Sequence, residues 1–482
     1  MTDRPCLVLG SLVAFFLCVA LVFADEQPPA EDTQPVEQIE PVPVTPGPQD
    51  WLKQAREESK VGARRITPWW TWGADLRLRQ EYIDNVVDLE DDTDSDQRWF
   101  WRLRGRIWSK FGPFFPDETS DKPNGLYGFV RLTTEPRYYE VGAGSEFKEG
   151  IWDNLYLDWQ RIGGLPVSVR LGRWDVLYGR GFILLDGTPL DGSRTIYSDA
   201  AKVTFHFDSV KTDLDLLYIN NEGEQDRLRP IDDDGGRLCE FDEELFGAYL
   251  ISKVLEGQEI HAYYIYKEDD PLSGVTSPNR NVNTLGGLVQ GKLARCWDYY
   301  LEGAVQWGSE GSFSRRGWGL SSDFGYTFCD CSAKPRVHFA YEYLSGDDPT
   351  TSRFEGWDPV LARWPHYSEL YVYRWAFPTE GGLPGNWTNV QRFGTGIGFA
   401  LCDQVDTSFD YSFLLANQHP AGETPPYDSG RGRGHLLSWI LNVKINPSVS
   451  GHFWLEYFLP GSFYAGSAND AIFARWQINL AY

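Results

Sequence analysis

Residues 98–110 read RWFWRLRGRIWSK, and their side chains sort into two sets by alternate position. Trp99, Trp101, Leu103 and Ile107 make one set; Arg98, Arg102, Arg104 and Arg106 make the other. A two-residue period belongs to a strand, because successive side chains leave opposite faces of the backbone. Coiled as a helix, the same run would scatter its apolar residues on every side. A strand so divided must stand between water and something apolar. If the apolar medium is lipid, an arginine facing it at mid-bilayer costs about 2–4 kcal/mol. The guanidinium groups therefore point into a water-filled bore and the rings point outward, which is the geometry of a closed barrel.

The same alternation returns along the chain. Trp72, Ala74, Leu76 and Leu78 alternate with Asp75, Arg77 and Arg79; Val203, Phe205 and Phe207 alternate with Lys202, Thr204 and His206. The last nine residues, ARWQINLAY, set Trp476, Ile478, Leu480 and Tyr482 against Arg475, Gln477 and Asn479. About ten residues of alternating polarity is the signature of a strand that crosses a bilayer. Short turns read near 161–165, 208–211, 253–259, 293–296, 329–334, 401–403 and 446–448, with a longer one at 112–124. Between them lie polar loops near 84–97, 134–149, 174–196, 221–243, 268–283, 308–317, 346–390, 416–434 and 460–470. Eight turns and nine loops join 18 strands. The expectation is an all-β chain: a transmembrane antiparallel up-and-down β-barrel over residues 69–482, with long extracellular loops and short periplasmic turns. Both barrel ends then fall on the periplasmic side. A soluble β-sandwich also alternates, but the short–long rhythm, the outward rings and the terminal aromatic speak against it.

The N-terminus fits an exported protein. Arg4 precedes the almost wholly apolar run Leu7 to Phe23, and Val22 to Ala24 supply the small residues of a cleavage site, so residues 1–24 read as a secretory signal peptide. The alternative is an uncleaved anchor. Residues 25–50 are acidic and proline-rich, a linker expected to be disordered. Residues 51–68 form a short pre-barrel segment, expected to be helical over 51–66. No later segment approaches the ~20 apolar residues of a spanning helix. With 69 acidic against 44 basic residues and a net charge of -25, the chain is a poor partner for nucleic acid.

Inward positions carry the candidate chemistry. Arg77, Arg79, Arg98, Arg102, Arg104 and Arg106 come from the first two strands, followed by Arg131, Arg170 and Lys202; Arg475 joins them across the closure seam. Arginine suits bidentate contact with carboxylates. Two readings stay open: pairing with inward acids that merely braces the lumen, or a path that attracts anions. No catalytic, metal or cofactor site stands out. Seven histidines show no Ser/His/Asp spacing, and His206, His261, His338 and His452 read as hydrogen-bonding lumen residues. The acidic loop Asp88 to Asp96 reads as solvated, a divalent cation being the other occupant. Cys296, Cys329, Cys331 and Cys402 fall on three consecutive short turns; disulfides between adjacent turns are expected in an oxidising compartment, and a thiolate metal site is the alternative.

The stretch LGRWDVLYGRGFILLDG (Leu171 to Gly187), with RTIYSDAAKVTF (Arg194 to Phe205), resembles the alginate-export family of outer-membrane barrels. LSGDD, WDPVLARWPHYSELY and LEYFLPGSFY resemble other parts of that family. The resemblance implies an 18-stranded barrel that exports an anionic uronate polysaccharide through an arginine-rich constriction narrowed by loops. It places Arg173, Tyr178, Gly179 and Arg194 in the matching strand and loop; Trp174 stands where a glutamine is usual. The implied partners are outer-membrane lipid, an anionic polysaccharide or oligosaccharide, and a periplasmic export complex. A general or sugar-selective uptake porin is the alternative reading. Whether loop 346–390 or loop 174–196 fills the bore is left open by the sequence.

Overall fold

In the computed structural model, the structure describes residues 63–85, 97–118, 120–141, 150–186, 197–223, 241–272, 278–362, 367–370, 388–419 and 428–482, with 89, 228 and 231. The signal and linker assignments, residues 51–62, nearly all of the acidic loop Asp88 to Asp96, and Arg194 lie outside the described residues.

Eighteen antiparallel strands close into one barrel. They are β1 Trp70–Asp84, β2 Arg98–Phe114, β3 in two pieces (Gly125–Thr134 and Arg137–Val141), β4 Ile151–Gln160, β5 Val167–Trp174 and β6 Ser198–Phe207. Then follow β7 Thr212–Asn221, β8 Phe241–Ser252, β9 Gln258–Pro271, β10 Arg280–Ala294, β11 Trp297–Glu310 and β12 Phe313–Thr327. The set ends with β13 Arg336–Leu344, β14 Val390–Cys402, β15 Val405–Leu415, β16 Gly432–Asn446, β17 Val449–Pro460 and β18 Ala471–Ala481. Each strand pairs with its sequence neighbour, and β18 returns to β1 with Leu76 opposite Leu480 and Arg79 opposite Gln477. Closure removes the exposed edges that an open sheet would present. Among the described residues, no helix is long and apolar enough to cross a membrane.

The two faces are as the period requires. On β2, Leu103 and Ile107 are exposed, the latter at 52%, whereas Arg102, Arg104 and Arg106 are buried. Outward rings stack in cross-strand pairs, as Trp318 does with Tyr343 and Phe409 with Trp439.

Two details of the sequence reading are corrected. The loop expected at 308–317 is a tight hairpin: β11 and β12 pair as far as Glu310 opposite Phe313. Its polar run belongs to strands that continue past the apolar belt, and Gly311 (φ 55°) makes the reversal. The pre-barrel segment ends in a strand rather than a helix, since Arg64–Thr67 pairs back on β1 with Arg64 opposite Trp72. There Arg64 covers the ring of Tyr482, 4.0 Å from its centroid.

The bore is not empty. The segment after β5 turns inward and forms a small sheet from Val176–Leu177, Leu184–Asp186 and Leu361–Ala362, the last from the long loop between β13 and β14. Phe182, Ile183, Leu184, Trp357 and Leu361 are buried against inward Ile219, Leu245 and Ile265. The described parts of both long loops therefore lie in the lumen, joined by parallel pairing of Leu361 with Leu184 and Ala362 with Leu185.

Candidate functional site

The arginine wall is built by register. On β1 and β2, Arg77 lies opposite Arg104 and Arg79 opposite Arg102. Like charges directly opposite are destabilising, so this wall stands only because carboxylates are threaded between them. Glu135, at the break in β3, accepts from Arg77 at 2.5 Å and from Arg102 at 2.9 Å. Glu81 takes Arg475 Nε at 2.7 Å, Arg102 at 3.3 Å and Arg79 at 3.5 Å. Asp75 takes Arg106 at 2.8 Å and Arg104 at 3.3 Å. Glu135, Glu81 and Asp75 are thus each shared between two or more of these arginines. Breaking a buried pair leaves a charge that low dielectric cannot screen.

A fourth carboxylate comes from the loop. Glu369 binds Arg475 Nη1 at 2.5 Å. Its neighbours are held by Glu456 on β17, which accepts from Ser368 Oγ at 2.6 Å and from the backbone N–H groups of Glu369 and Leu370 at 2.9 and 3.1 Å.

The wall formed by β8 to β12 is composed differently. Lys267 lies between Glu243 (3.0 Å) and Asp269 (2.9 Å), and Arg280 binds Asp269 at 2.6 Å. Asp358 of the long loop enters this network between Arg280 (3.3 Å) and Arg315 (3.6 Å), while Lys267 Nζ donates to Val360 O. Burial alone would raise the Asp358 pKa, but Arg280, Arg315 and Lys267 outweigh it and hold the carboxyl below the usual carboxylate range. The loop is therefore pinned at two separate places on the wall, at Asp358 and at residues 368–370.

The inner segment 175–186 is pinned likewise. Asp175 joins Asp153 on Arg131, at 2.9 and 2.7 Å. Tyr178 donates to Asp215, and Arg180 covers the Tyr300 ring at 4.2 Å. Gly179 has φ 56°, and a Cβ there would meet Leu288 Cδ1 at 2.8 Å, so this turn admits glycine alone without strain.

The structure brings together Arg77, Arg79, Arg102, Arg104, Arg106 and Arg475 as one group, with Arg131 deeper on β3. Arg170 pairs with Asp158 and Lys202 with Asp215 further round the wall. Arg98 is half-buried at the start of β2, opposite Ile83. Arg173 is a correction: it shares the outward register of exposed Leu171, lies opposite exposed Leu155, and clamps Asp199 under the Tyr197 ring. Strand parity makes it a brace at the barrel rim, not a lining residue. Sequence reasoning missed Glu135, Asp175, Asp358 and Glu369, which lie outside regular strands where no period points to them. Cys296 and Cys329 form a disulfide between the turns after β10 and β12, while Cys331 and Cys402 are free and exposed. No metal-binding group is present among the described residues.

One catalytic-looking line appears that the spacing did not show. Ser168 Oγ is 2.8 Å from His206 Nε2, and His206 Nδ1 is 2.8 Å from Asp213. Ser168, however, lies inside a regular ladder, opposite Thr204, where backbone N–H groups bond the neighbouring strands. Its Oγ already accepts from the Arg161 N–H. An acyl-transfer site needs N–H donors aimed at an oxyanion, and a ladder commits them elsewhere. The line is a hydrogen-bond chain across β5, β6 and β7.

A closed barrel with rings outward, ion pairs inward and two loops folded into its bore defines an outer-membrane channel in contact with lipid. The profile of the family described as alginate export matches residues 147–418, more than half of the chain, and the protein belongs to that family. Solved porins share the fold. A BenF-like porin from Pseudomonas fluorescens Pf-5 aligns with TM-score 0.55 at 10% identity, covering 86% of this chain and 98% of that one. Pseudomonas aeruginosa OccK2 (OpdF) in complex with glucuronate gives 0.52 at 10%, covering 85% and 97%. Acinetobacter baumannii OccAB2 gives 0.51 at 10%, covering 85% and 98%. No curated protein matches the sequence.

Proposed function

We propose that the channel passes a uronate polysaccharide or oligosaccharide outward across the outer membrane, the carboxylates of the solute moving along the β1–β2–β18 wall. The observation that carries this reading is the register of the arginines. Arg77 lies opposite Arg104 and Arg79 opposite Arg102, so guanidinium faces guanidinium at two adjacent inward registers. Bracing alone is better met by alternating signs, as on the β8–β12 wall. Guanidinium groups clustered in a narrow passage raise the local concentration of anions and offer planar forks to carboxylates. The barrel holds no energy source, so a solute gradient sets direction. In this reading the long loops face outside and both barrel ends face the periplasm.

Single-channel recording in planar bilayers tests the proposal, with alginate oligomers and glucuronate as probes. The expected result is anion selectivity and reversible block by alginate oligomers. Arg104→Glu or Arg102→Glu should abolish the selectivity and weaken the block by more than about tenfold, the loss of about one charge-assisted contact. A cation-selective pore indifferent to uronates, with block by neutral sugars, favours an uptake porin.

A further inference from the structure

The luminal loop delivers a carboxylate to the arginine wall that the wall does not itself contain. Glu369 reaches Arg475 Nη1 at 2.5 Å, and the same arginine is gripped from behind by Glu81 and faced by the rings of Trp454 and Phe473. Glu369 is placed there without any strand of its own, because Ser368 Oγ and the N–H groups of residues 369 and 370 dock on Glu456. A carboxylate on a docked loop, bound to a guanidinium on the bore wall, has the chemistry of the carboxylate on a uronate residue.

We propose that Glu369 is a tethered competitor for the solute: it occupies Arg475 when the channel is idle, and an entering sugar carboxylate displaces it. This deepens the uronate reading and rests on it. A fixed internal anion sets how much charge a solute must bring before it binds better than the loop. A single small anion meets Glu369 at high effective concentration and loses, whereas a chain with several carboxylates exchanges one arginine after another. The residue thus selects for polyanions over monovalent anions, and it keeps the arginines paired between passages. Selectivity here is a difference of affinities, obtained by making the wrong solute compete with a resident group.

The test is Glu369→Gln, which keeps shape and hydrogen bonding and removes the charge. It is read in bilayers against three probes: glucuronate, alginate oligomers, and neutral glucan oligomers of the same length. Heat-modifiable migration of each variant confirms the closed barrel beforehand. Glu369→Gln should be blocked by glucuronate at about five- to tenfold lower concentration, the low end of coupling between two sites. Block by alginate oligomers should strengthen less, so preference for polymer over monomer falls. Neutral glucans should behave alike in both proteins. Ser368→Ala, which loosens the dock on Glu456 without changing charge, should shift glucuronate block in the same direction by a smaller factor. Equal block of wild type and Glu369→Gln by glucuronate overturns the competitor role and leaves the uronate channel standing. A variant that admits neutral and charged probes equally better also overturns it, since the loop would then be only a steric obstacle. If alginate blocks neither protein, the uronate reading falls and the competitor falls with it.

Discussion

The two charged walls of the bore use the same residue types in opposite proportions. On β1, β2 and β18, six arginines share Asp75, Glu81 and Glu135 until the loop adds Glu369. On β8 to β12, Lys267, Arg280 and Arg315 share Glu243, Asp269 and Glu310 with Asp358 of the loop. The second wall is slightly acid-rich, so each cation there neutralises buried carboxylates. The first sets arginine opposite arginine, so its carboxylates must be shared between neighbouring guanidinium groups. One wall alternates its signs, and the other places like charges face to face.

The largest expected effect tests the matched wall. Arg280→Gln strips a cation from Asp269 and Asp358, both buried, and should destabilise the barrel by about 3–5 kcal/mol. Urea unfolding in lipid vesicles, followed by tryptophan fluorescence, reads it; a loss no larger than that of a surface variant would mean water screens this network. Acid probes the same pin. Because the Asp358 carboxyl is held below its usual range, its pairs stabilise fully above the unfolded value of about 3.9 and are lost only as pH falls through the lower folded value. The stability this pin contributes, read in the urea assay as the difference between wild type and Asp358→Asn, should therefore hold steady from pH 7 down to about pH 4. A step between about pH 4 and 5 would show an ordinary carboxylate and a loop not pinned there.

The matched wall is also the one tied at its foot, because Cys296–Cys329 joins the turns after β10 and β12 across a sequence separation of 33. Chain entropy puts an upper limit of about 3–4 kcal/mol on this link, and Cys329→Ser should lose part of that in the same urea assay. Ion selectivity should not move, since the arginine wall is remote in the strand order. Intact mass with and without reductant checks the bond, which should account for the gain of two hydrogens and no more.

How much of this was legible in the sequence follows from where the two-residue period runs cleanly. On β2 the contrast of Trp101 and Ile107 with Arg102 and Arg104 leaves one solution, and the strand order followed from counting such runs. On β8 and β9 the period fails: Leu245 and Ile265 face inward, and they are apolar because Phe182, Ile183 and Leu361 cover them. A strand buried on both faces carries no alternation, so Lys267 and Arg280 were not singled out. Arg173 was misplaced because a motif gives proximity in sequence without giving parity. Glu135, Asp358 and Glu369 were missed because irregular backbone has no period at all.

The smallest stability effect is the most telling about the other wall. Arg104→Gln removes one of six crowded guanidinium groups, opposite Arg77, while Asp75 keeps Arg106 at 2.8 Å. The lost pair and the lost repulsion nearly cancel, so urea unfolding should change by about 1 kcal/mol or less in either direction. Selectivity for anions should fall all the same, because field in a narrow passage depends on net charge and not on how comfortably the charges are paired. Set beside Arg280→Gln, this separates two jobs done by the same side chain: a large loss of stability on one wall, and a loss of selectivity at little cost in stability on the other. If Arg104→Gln instead unfolds the barrel as Arg280→Gln does, the arginines of β1 and β2 are braces like the rest, and their facing registers have no functional meaning.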